Sequence, residues 1–418
     1  MTPVRLVRII SRLNVGGPAI QAITLTERLT PLGYETTLIR GREAPNEGSM
    51  DYLAEELNVR PMLIGLLERN PGPQDLVALL LLARALRARR PHIVHSHAAK
   101  AGTLGRLAAL LAFRPSRRPV LIHTFHGHSL SGYFTGWRNA AFLRVERFLA
   151  RRTDRLIAVS AEVRDELAQL GVAPPDRFTV VPLGFDLSPF LVEDPARTER
   201  RRKLRIELGI PEDALVVTLV ARLVPIKRVD RFLRVAARLR DVSDVRFVVV
   251  GDGELRDELR TSPEARAMSS QLIWAGFRRD MPDVYFASDV VVQTSDNEGT
   301  PVALIEAQAA GVPVVTTAVG GVASAVLDGE TGRITAVDEE EVMAGVIGSY
   351  LGDEVRRREH GEQGRRHAEE SFTLNDLVVA IDRLYRRSLD RRPGLTRHAG
   401  RSSAVAGLRR RRNSPRPH

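Results

Sequence analysis

The sequence predicts an α/β protein built from two doubly wound domains in tandem, and three observations support this prediction. Short β-rich runs alternate with helical segments through residues 4–182, and the same alternation restarts at residue 215. Strands that alternate with helices of this length form parallel βαβ units. The strand segments consist almost entirely of Val, Ile and Leu, which is typical of a sheet that is buried on both faces.

The alternation is lost between Phe185 and Ile210, where Pro, Asp and a basic run at 200–203 replace it. We therefore expect a first domain at residues 1–186, an interdomain linker at 187–210 and a second domain at 211–372. A helix at 373–390 and a basic tail at 391–418 follow.

The elements follow in order from these runs. In the first half the predicted strands are 4–13, 35–40, 92–97, 119–125, 155–160 and 178–182, and the predicted helices are 19–32, 75–89, 103–113, 137–151 and 161–170. In the second half the strands are 215–223, 245–251, 272–275, 290–294 and 314–317, and the helices are 229–240, 254–260, 282–287 and 301–310. Ligands bind outside the carboxyl ends of open parallel sheets, so informative residues should directly follow strands.

The composition excludes several kinds of chemistry. The 418 residues include no cysteine, which excludes disulfides, thiolate metal sites, iron–sulfur ligation and a cysteine nucleophile. The longest apolar run, 76–83, is far shorter than the roughly 20 residues that a membrane span needs. The N-terminus alternates Arg with Val and Ile and carries no signal-peptide core. We expect a cytoplasmic protein.

The net charge of +11 is concentrated in the tail. Residues 391–418 hold nine arginines and no acidic residue, and the preceding chain carries 53 basic against 51 acidic side chains. A tail of this composition is expected to be disordered, either simply solvated or in contact with an anionic membrane at the inner face of the plasma membrane. Nucleic acid is not an expected partner, because the rest of the chain has no obvious basic patch interleaved with aromatic residues.

A glycine-rich turn follows the first predicted strand. Gly16 and Gly17 lead directly into a helix, which places free amides and the positive helix end where an anion could bind. The turn lacks the G-x-G-x-x-G dinucleotide fingerprint, and on this signal alone a tight turn without a ligand is the favoured interpretation.

Six of the ten histidines lie between residues 92 and 128, near two successive strand ends: His92, His95, His97, His123, His126 and His128. Three interpretations are open: a zinc site, capping or packing, and a histidine that faces a substrate hydroxyl. Zinc is the least favoured, because no carboxylate accompanies either cluster and no H-E-x-x-H helix exists. We therefore expect no metal.

Arg222 and Lys227 flank a turn after the strand at 215–223. An Arg fork and a Lys point charge suit the two phosphates of a diphosphate. Lys227 is one of three lysines against 59 arginines, which suggests a need for a compact ammonium. Two solvated surface cations remain the alternative.

The segment from Glu298 to Gly311 has the strongest local pattern. Thr300 as N-cap, Pro301 as first helical residue and Gly311 as terminator predict a helix at 301–310. The helix is apolar nearly all round, so Glu306 should be buried and must have hydrogen-bond donors. Either a structural Arg or ligand hydroxyls would supply them.

The sequence resembles the family 4 retaining glycosyltransferases. Glu298 and Glu306 have the E-x7-E spacing within a context that matches from Asn297 to Val315. Further matching segments are Ala221-Arg222-Leu223 with Lys227, 250–253, Gly276-Phe277, 287–290, 94–97 with 100–102, 124–127 and 154–160. The resemblance implies the GT-B fold, in which two Rossmann-like domains face each other across a cleft and the last helix returns to the first domain.

The resemblance also implies where a nucleotide-sugar donor, linked to UDP or GDP, would bind. Arg222 and Lys227 would clamp the diphosphate with the amides of Gly299 and Thr300. The loop at Gly16 and Gly17 would close over that diphosphate.

The remaining roles also come from the resemblance. Glu306 would accept from the ribose hydroxyls, Glu298 would touch the donor sugar, and His126 would be the active-site histidine. The base would lie near three further residues: Gly251, Gly253 and Phe277.

The implied reaction is metal-independent transfer of a hexosyl or N-acetylhexosaminyl group, with retention, to the hydroxyl of a saccharide or lipid-linked acceptor. The sequence has no D-x-D triplet that would chelate a divalent ion. The implied process is cell-surface polysaccharide or glycolipid synthesis in the cell envelope. The alternatives are a sugar-nucleotide epimerase of the same fold and a non-catalytic nucleotide-sugar binding protein.

Overall fold

Two parallel sheets organise the chain. The computed structural model describes residues 3–43, 48–68, 71–127, 137–242 and 244–392, with the side chains of residues 137–139 not described. The strands are β1 Val4–Ile10, β2 Tyr34–Arg40, β3 Met62–Leu63, β4 Ile93–His97, β5 Val120–Phe125, β6 Arg155–Ala158, β7 Phe178–Val180, β8 Leu215–Val220, β9 Val245–Val250, β10 Leu272–Gly276, β11 Val290–Gln293, β12 Val314–Thr317 and β13 Gly332–Thr335. The sheet orders are β3-β2-β1-β4-β5-β6-β7 and β10-β9-β8-β11-β12-β13.

Helices connect successive strands. They are α1 Gly17–Arg28, α2 Asp51–Glu56, α3 Gln74–Arg89, α4 Ala99–Ala112, α5 Trp137–Ala150, α6 Ala161–Gln169, α7 Ala196–Glu207, α8 Val229–Ala237, α9 Arg256–Arg260, α10 Pro263–Ala267, α11 Met281–Ala287, α12 Val302–Ala309, α13 Glu340–Gly352, α14 Glu354–Ser371 and α15 Leu374–Asp390. Within the described ranges, no helix combines the length and apolar content that a bilayer span requires.

Both sheets are covered on their two faces, as the apolar strands predict. On the first sheet, α3 and α4 pack on one face through Leu82 and Leu104, and α1 and α15 pack on the other through Leu25 and Ile381. The second sheet lies between α8 and α13 on one side and α7, α11 and α12 on the other. The predicted pair of doubly wound domains is confirmed.

Several element ends differ from the prediction in ways that shape the site. The first strand ends at Ile10, three residues before the predicted end, and β8 ends at Val220, so that Arg222 lies in a loop. Helix α4 begins at Ala99, which places Lys100 in its first turn. The contacts of the loops at the carboxyl edge of the sheets determine where these elements end. Sequence periodicity identifies the elements but not those ends.

Half of the segment predicted as a linker is helix α7. It packs against the second domain through buried Leu204. Asp289 accepts hydrogen bonds from Arg201 at 2.9 Å and from Arg205 at 2.8 Å. The chain therefore joins the second domain from residue 196 onward.

The chain passes between the domains twice, and the two crossings are paired. The Phe185 amide donates to the Phe372 carbonyl at 2.9 Å, and the Leu374 amide donates to the Phe185 carbonyl at 3.0 Å. A Cβ at Gly184 would lie 2.3 Å from the Thr373 carbonyl oxygen, so this close pairing requires glycine. After the second crossing α15 lies on the first sheet, where the resemblance places it.

Candidate active site

Backbone from the two domains meets at the carboxyl ends of the sheets. The loop after β5 carries His126 and Gly127, and the loop after β11 carries Glu298 and Gly299. A Cβ on Gly299 would lie 1.8 Å from the His126 carbonyl oxygen, and a Cβ on Gly127 would lie 2.6 Å from the Gly299 Cα. Gly127 also has φ +122°, a conformation that L-residues rarely adopt. Glycine at both positions therefore lets the loops touch.

The N-termini of two helices also meet in this cleft. Gly17 is the first residue of α1, and a Cβ built on it would lie 3.1 Å from a methyl carbon of Val302, the first residue of α12. Gly16, with φ +151°, makes the preceding turn. The structure brings together Gly16, Gly17, Gly299 and Thr300, whose amides donate to no carbonyl among the described residues. Amides at two positive helix ends with no described carbonyl partner are suited to hold an anion.

The predicted N-cap at Thr300 is wrong. Pro301 occupies the cap position with ψ 80°, and α12 begins at Val302 without a side-chain cap. The Thr300 carbonyl instead accepts from the Val302 amide at 3.0 Å in a tight turn. The predicted end is confirmed, because Gly311 follows the helix with φ +73°.

Lys227 and Glu298 lie side by side in the cleft. Lys227 Nζ lies 2.5 Å from Glu298 Oε1, which also accepts a hydrogen bond from Ser295 Oγ at 2.6 Å. The Glu298 side chain is 7% exposed and that of Lys227 is 21% exposed. The Thr294 hydroxyl donates to the Arg228 carbonyl at 2.9 Å and ties the two loops together. The carboxylate is thus neutralised by an ammonium that still faces the cleft.

Arg222 is the uncompensated cation of this loop. Its side chain is half-buried and forms no ion pair with any residue that the structure describes. Gly251 and Gly253 pack directly against the backbone of the loop that carries Arg222. A Cβ on Gly251 would lie 1.9 Å from the Ala221 carbonyl oxygen, and one on Gly253 would lie 2.5 Å from the Leu223 carbonyl oxygen. Phe277, after β10, is 44% exposed and offers a ring face.

Glu306 is paired with a phenol. Tyr285, which is fully buried, donates its hydroxyl to Glu306 Oε2 at 3.0 Å. Burial raises the pKa of the Glu306 carboxyl to about 7, and the hydrogen bond from Tyr285 opposes this only in part. No arginine among the described residues pairs with it, and within them the buried donor is the Tyr285 hydroxyl. The second carboxyl oxygen is available to a ligand hydroxyl.

His126 is held by a second histidine. His126 Nε2 lies 2.9 Å from His97 Nδ1, while the buried His126 Nδ1 has no hydrogen-bond partner among the described residues. Burial and the charge of Arg8 lower the pKa of His126 to about 3, so its imidazole is neutral.

The other predicted histidines have structural partners. His92 accepts from the Arg5 amide, His95 contacts Tyr385 and Thr124, and His123 contacts Ser96. His128 lies outside the described residues. Across the described part of the chain, no three His, Asp or Glu side chains are grouped as metal ligands.

Sequence reasoning missed three site residues. Tyr285 and Tyr385 are far in sequence from the groups that they contact, and no local pattern indicates them. Arg8 had a signal, because it is a charged residue within an apolar central strand, and it is 0% exposed. A charge buried in this way needs polar partners.

Two Rossmann-like domains whose sheets meet at their carboxyl ends across one cleft define a protein of the GT-B class. The solved structures with this fold include HepE of Anabaena bound to UDP and glucose, with a TM-score of 0.75, 22% identity and coverage of 93% of this chain and 99% of that one. Sucrose-phosphate synthase of Thermosynechococcus elongatus has a TM-score of 0.77, 20% identity and coverage of 93% and 99%.

The chain belongs to the family 4, group 1 glycosyltransferases. Residues 15–189 match the family described as Glycosyltransferase Family 4, and residues 200–367 match Glycosyl transferases group 1. The chain is 30% identical to the D-inositol 3-phosphate glycosyltransferase of Acidothermus cellulolyticus over 91% of this chain and 87% of the relative. It is 33% identical to the UDP-Gal:alpha-D-GlcNAc-diphosphoundecaprenol alpha-1,3-galactosyltransferase of Escherichia coli, over 65% and 69%. The protein is a glycosyltransferase that transfers a sugar from a nucleotide sugar.

Glu306 generates a prediction for nucleotide binding. Its raised pKa means that the carboxyl is protonated below about pH 7 and ionised above it, and the ionised form would be the stronger acceptor for the hydroxyls of a ribose. The affinity for UDP should therefore increase by up to about tenfold between pH 6 and pH 8. Isothermal titration calorimetry at both pH values measures the UDP affinity of wild type and of Glu306→Gln. The nucleotide's own phosphate titrates in both experiments, so the difference between the two proteins reports the contribution of Glu306.

In Glu306→Gln that pH-dependent increase should disappear, while exposed Glu354→Gln should retain it. The apo melting temperature of Glu306→Gln should stay near that of wild type, since its partner is a neutral phenol. Equal pH dependence in wild type and Glu306→Gln would remove Glu306 from the ribose site.

Proposed function

We propose that the protein transfers a hexosyl or N-acetylhexosaminyl group from a UDP-sugar, with retention, to a hydroxyl of a lipid-linked saccharide in cell-envelope synthesis. The observation that carries this proposal is that Lys227 and two helix N-termini meet at one cleft, with Arg222 on the loop that also carries Lys227. UDP is favoured over GDP because UDP is named for the Escherichia coli relative and for HepE. That relative's name also describes a diphosphoundecaprenol-linked acceptor.

The donor's diphosphate would lie between Arg222, Lys227 and the four free amides. Stabilising the charge that develops on the leaving UDP is the main catalytic contribution of such groups. The same positive groups would do this without a metal ion. Glu306 would bind the ribose, and Phe277 would contact the base above the loop that Gly251 and Gly253 support.

Retention would proceed by attack on the same face of the sugar from which UDP leaves. Glu298 is a poor nucleophile in this setting, because Lys227 and Ser295 both engage its Oε1. It would instead hold Lys227 against the diphosphate and accept from a sugar hydroxyl through its other oxygen. His126, being neutral, would face the donor sugar.

A surface on α3 supports contact with an anionic membrane. Its exposed residues are apolar in the first two turns, where Leu76, Val77, Leu80 and Leu81 are 65%, 48%, 54% and 42% exposed. They are basic in the next turns, at Arg84 and Arg87. We call these six residues the α3 surface.

Arginines without acidic partners extend this surface. Arg87 donates to the Leu111 and Ala112 carbonyls and so places the end of α4 beside α3. Exposed Arg114 and Arg117 follow α4. Where the structure describes them, none of Arg84, Arg87, Arg114 and Arg117 pairs with a carboxylate. Apolar side chains beside unpaired arginines suit the interface of an anionic bilayer, where a lipid-linked acceptor would lie.

The metal-free mechanism is tested by chelation. Release of UDP from a UDP-sugar in the presence of a lipid-linked saccharide should persist in excess EDTA, because the protein supplies the positive charge. A coupled UDP-release assay, with acceptor omitted as the control, also separates transfer from epimerisation and from simple binding. Loss of activity in EDTA that manganese or magnesium restores would contradict the mechanism.

Arg222→Ala should reduce kcat by about 10²–10³, the range for removal of one preorganised donor. Its melting temperature should not change, because Arg222 pairs with no described carboxylate. Lys227→Ala should reduce kcat similarly and also destabilise the apo protein, because it leaves buried Glu298 without its cation. Exposed Arg240→Ala is the matched control. Wild-type turnover in Arg222→Ala would show that this residue does not clamp the diphosphate.

The α3 surface is tested by sedimentation with vesicles. Full-length wild type should bind vesicles that contain phosphatidylglycerol, and the double variant Leu76→Glu, Leu80→Glu should bind about tenfold less, because it places charges in the apolar region. Val355→Glu, which alters a 67% exposed position of the second domain, should bind like wild type. Undiminished binding of the double variant would assign membrane contact to other residues, such as the basic tail.

A further inference from the structure

Arg8 is a buried cation without a counter-ion. It lies in the central strand β1, is 0% exposed, and pairs with no carboxylate in the described ranges. Its guanidinium contacts His97 Nε2 at 3.3 Å and the Tyr385 hydroxyl at 3.4 Å. Register places Arg8 beside His95, and His97 beside Thr124, so these four side chains share the sheet face that α15 covers.

The chemistry of arginine fixes the direction of the hydrogen bonds. A guanidinium donates and never accepts, so His97 Nε2 must accept and the His97 proton must be on Nδ1. His97 Nδ1 then donates to His126 Nε2 at 2.9 Å. His126 Nε2 is therefore an acceptor, and in the neutral ring the remaining proton must be on Nδ1. The chain from Arg8 to His126 has one consistent arrangement.

A second branch holds Arg8 in place. The Tyr385 hydroxyl accepts from Arg8 and donates to His95 Nδ1 at 2.5 Å, and His95 Nε2 donates to the Thr124 hydroxyl at 2.7 Å. The rings of His95 and His97 stack with centroids 4.2 Å apart. This branch fixes the guanidinium from the side of α15.

We propose that Arg8 and His97 are positioning residues that fix His126 as its Nδ1–H tautomer, so that His126 presents a hydrogen-bond donor to an oxygen of the transferred sugar. The inference rests on the proposed function, because that function supplies the sugar oxygen to which the His126 Nδ1–H group donates. With an apolar residue in place of Arg8, His97 and His126 could both adopt the opposite tautomer. His126 Nδ1 would then present a lone pair, which repels a sugar oxygen.

The positive charge has a second effect. Each hydrogen bond in a chain polarises the next, so donation from Arg8 strengthens the Nδ1–H of His126 as a donor. The field of Arg8 reaches His126, since it contributes to the lowered pKa of that residue. His126 therefore stays neutral and cannot remove a proton through its occupied Nε2. Its role is donation to substrate and excludes general-base catalysis.

The tautomer is measured directly by NMR. Full-length protein labelled with ¹⁵N-histidine should show His126 with a protonated Nδ1 and a pyridine-type Nε2, and His126→Gln assigns the signals. In Arg8→Met, which removes the donor, His126 should shift toward the Nε2–H form. Arg8→Lys, which leaves a donor at position 8, should keep the wild-type pattern.

Kinetics provide the second readout. Arg8→Met should lower kcat about tenfold or more with little change in KM for the donor, as expected for loss of an orienting partner. His97→Asn, whose amide nitrogen replaces Nδ1–H, should retain more activity than His97→Leu. If Arg8→Met does not fold, the two His97 variants provide the same comparison by NMR and kinetics.

Two results would overturn the inference: a wild-type His126 protonated on Nε2, or an unchanged His126 tautomer in both Arg8→Met and His97→Leu. The NMR experiment needs no substrate. Failure of the proposed function, seen as no UDP release from any UDP-sugar, is therefore distinguishable from failure of the tautomer assignment.

Discussion

The backbone contact between Gly127 and Gly299 sets the geometry on which the site depends. Because neither position carries a Cβ, the loop after β5 and the loop after β11 approach within van der Waals distance. The same approach places the first turn of α1 against that of α12, so that two positive helix ends share one small volume. A side chain at either glycine would separate these ends and weaken the field that they produce together.

The cleft combines charges that are compensated to different degrees. Lys227 is balanced by Glu298, Arg222 has no described partner, and Arg8 is buried behind His97 and His126. In the proposed complex, a nucleoside diphosphate would add the negative charge that this arrangement lacks. Binding and catalysis would then depend on the same cations, since the charge on the diphosphate increases as the sugar departs.

The sequence predicts the fold well because the apolar strands and their spacing are local properties. The stop at Gly311, the position of Glu298 in the loop after a strand and that of Glu306 on the following helix were predicted from the same patterns. The partner of Glu306 could not be predicted, because Tyr285 lies on α11, and only packing brings the two together. The N-cap at Thr300 failed for a related reason: Pro301 adopts a non-helical ψ where the two domains meet. A charged residue within an apolar strand, such as Arg8, is itself a local signal that polar partners are buried around it.

The paired crossings at Phe185 and Phe372 determine how the cleft can open. A single connecting strand would let one domain swivel about many axes. Here the Phe185 amide donates to the Phe372 carbonyl and the Leu374 amide donates to the Phe185 carbonyl. Two segments joined in this way form a flat ribbon, which bends more easily across its thin dimension than in its own plane. The two crossings together therefore form a hinge with one preferred axis of rotation between the domains. Any relative motion of the domains about this hinge would keep the loop after β5 opposite the loop after β11.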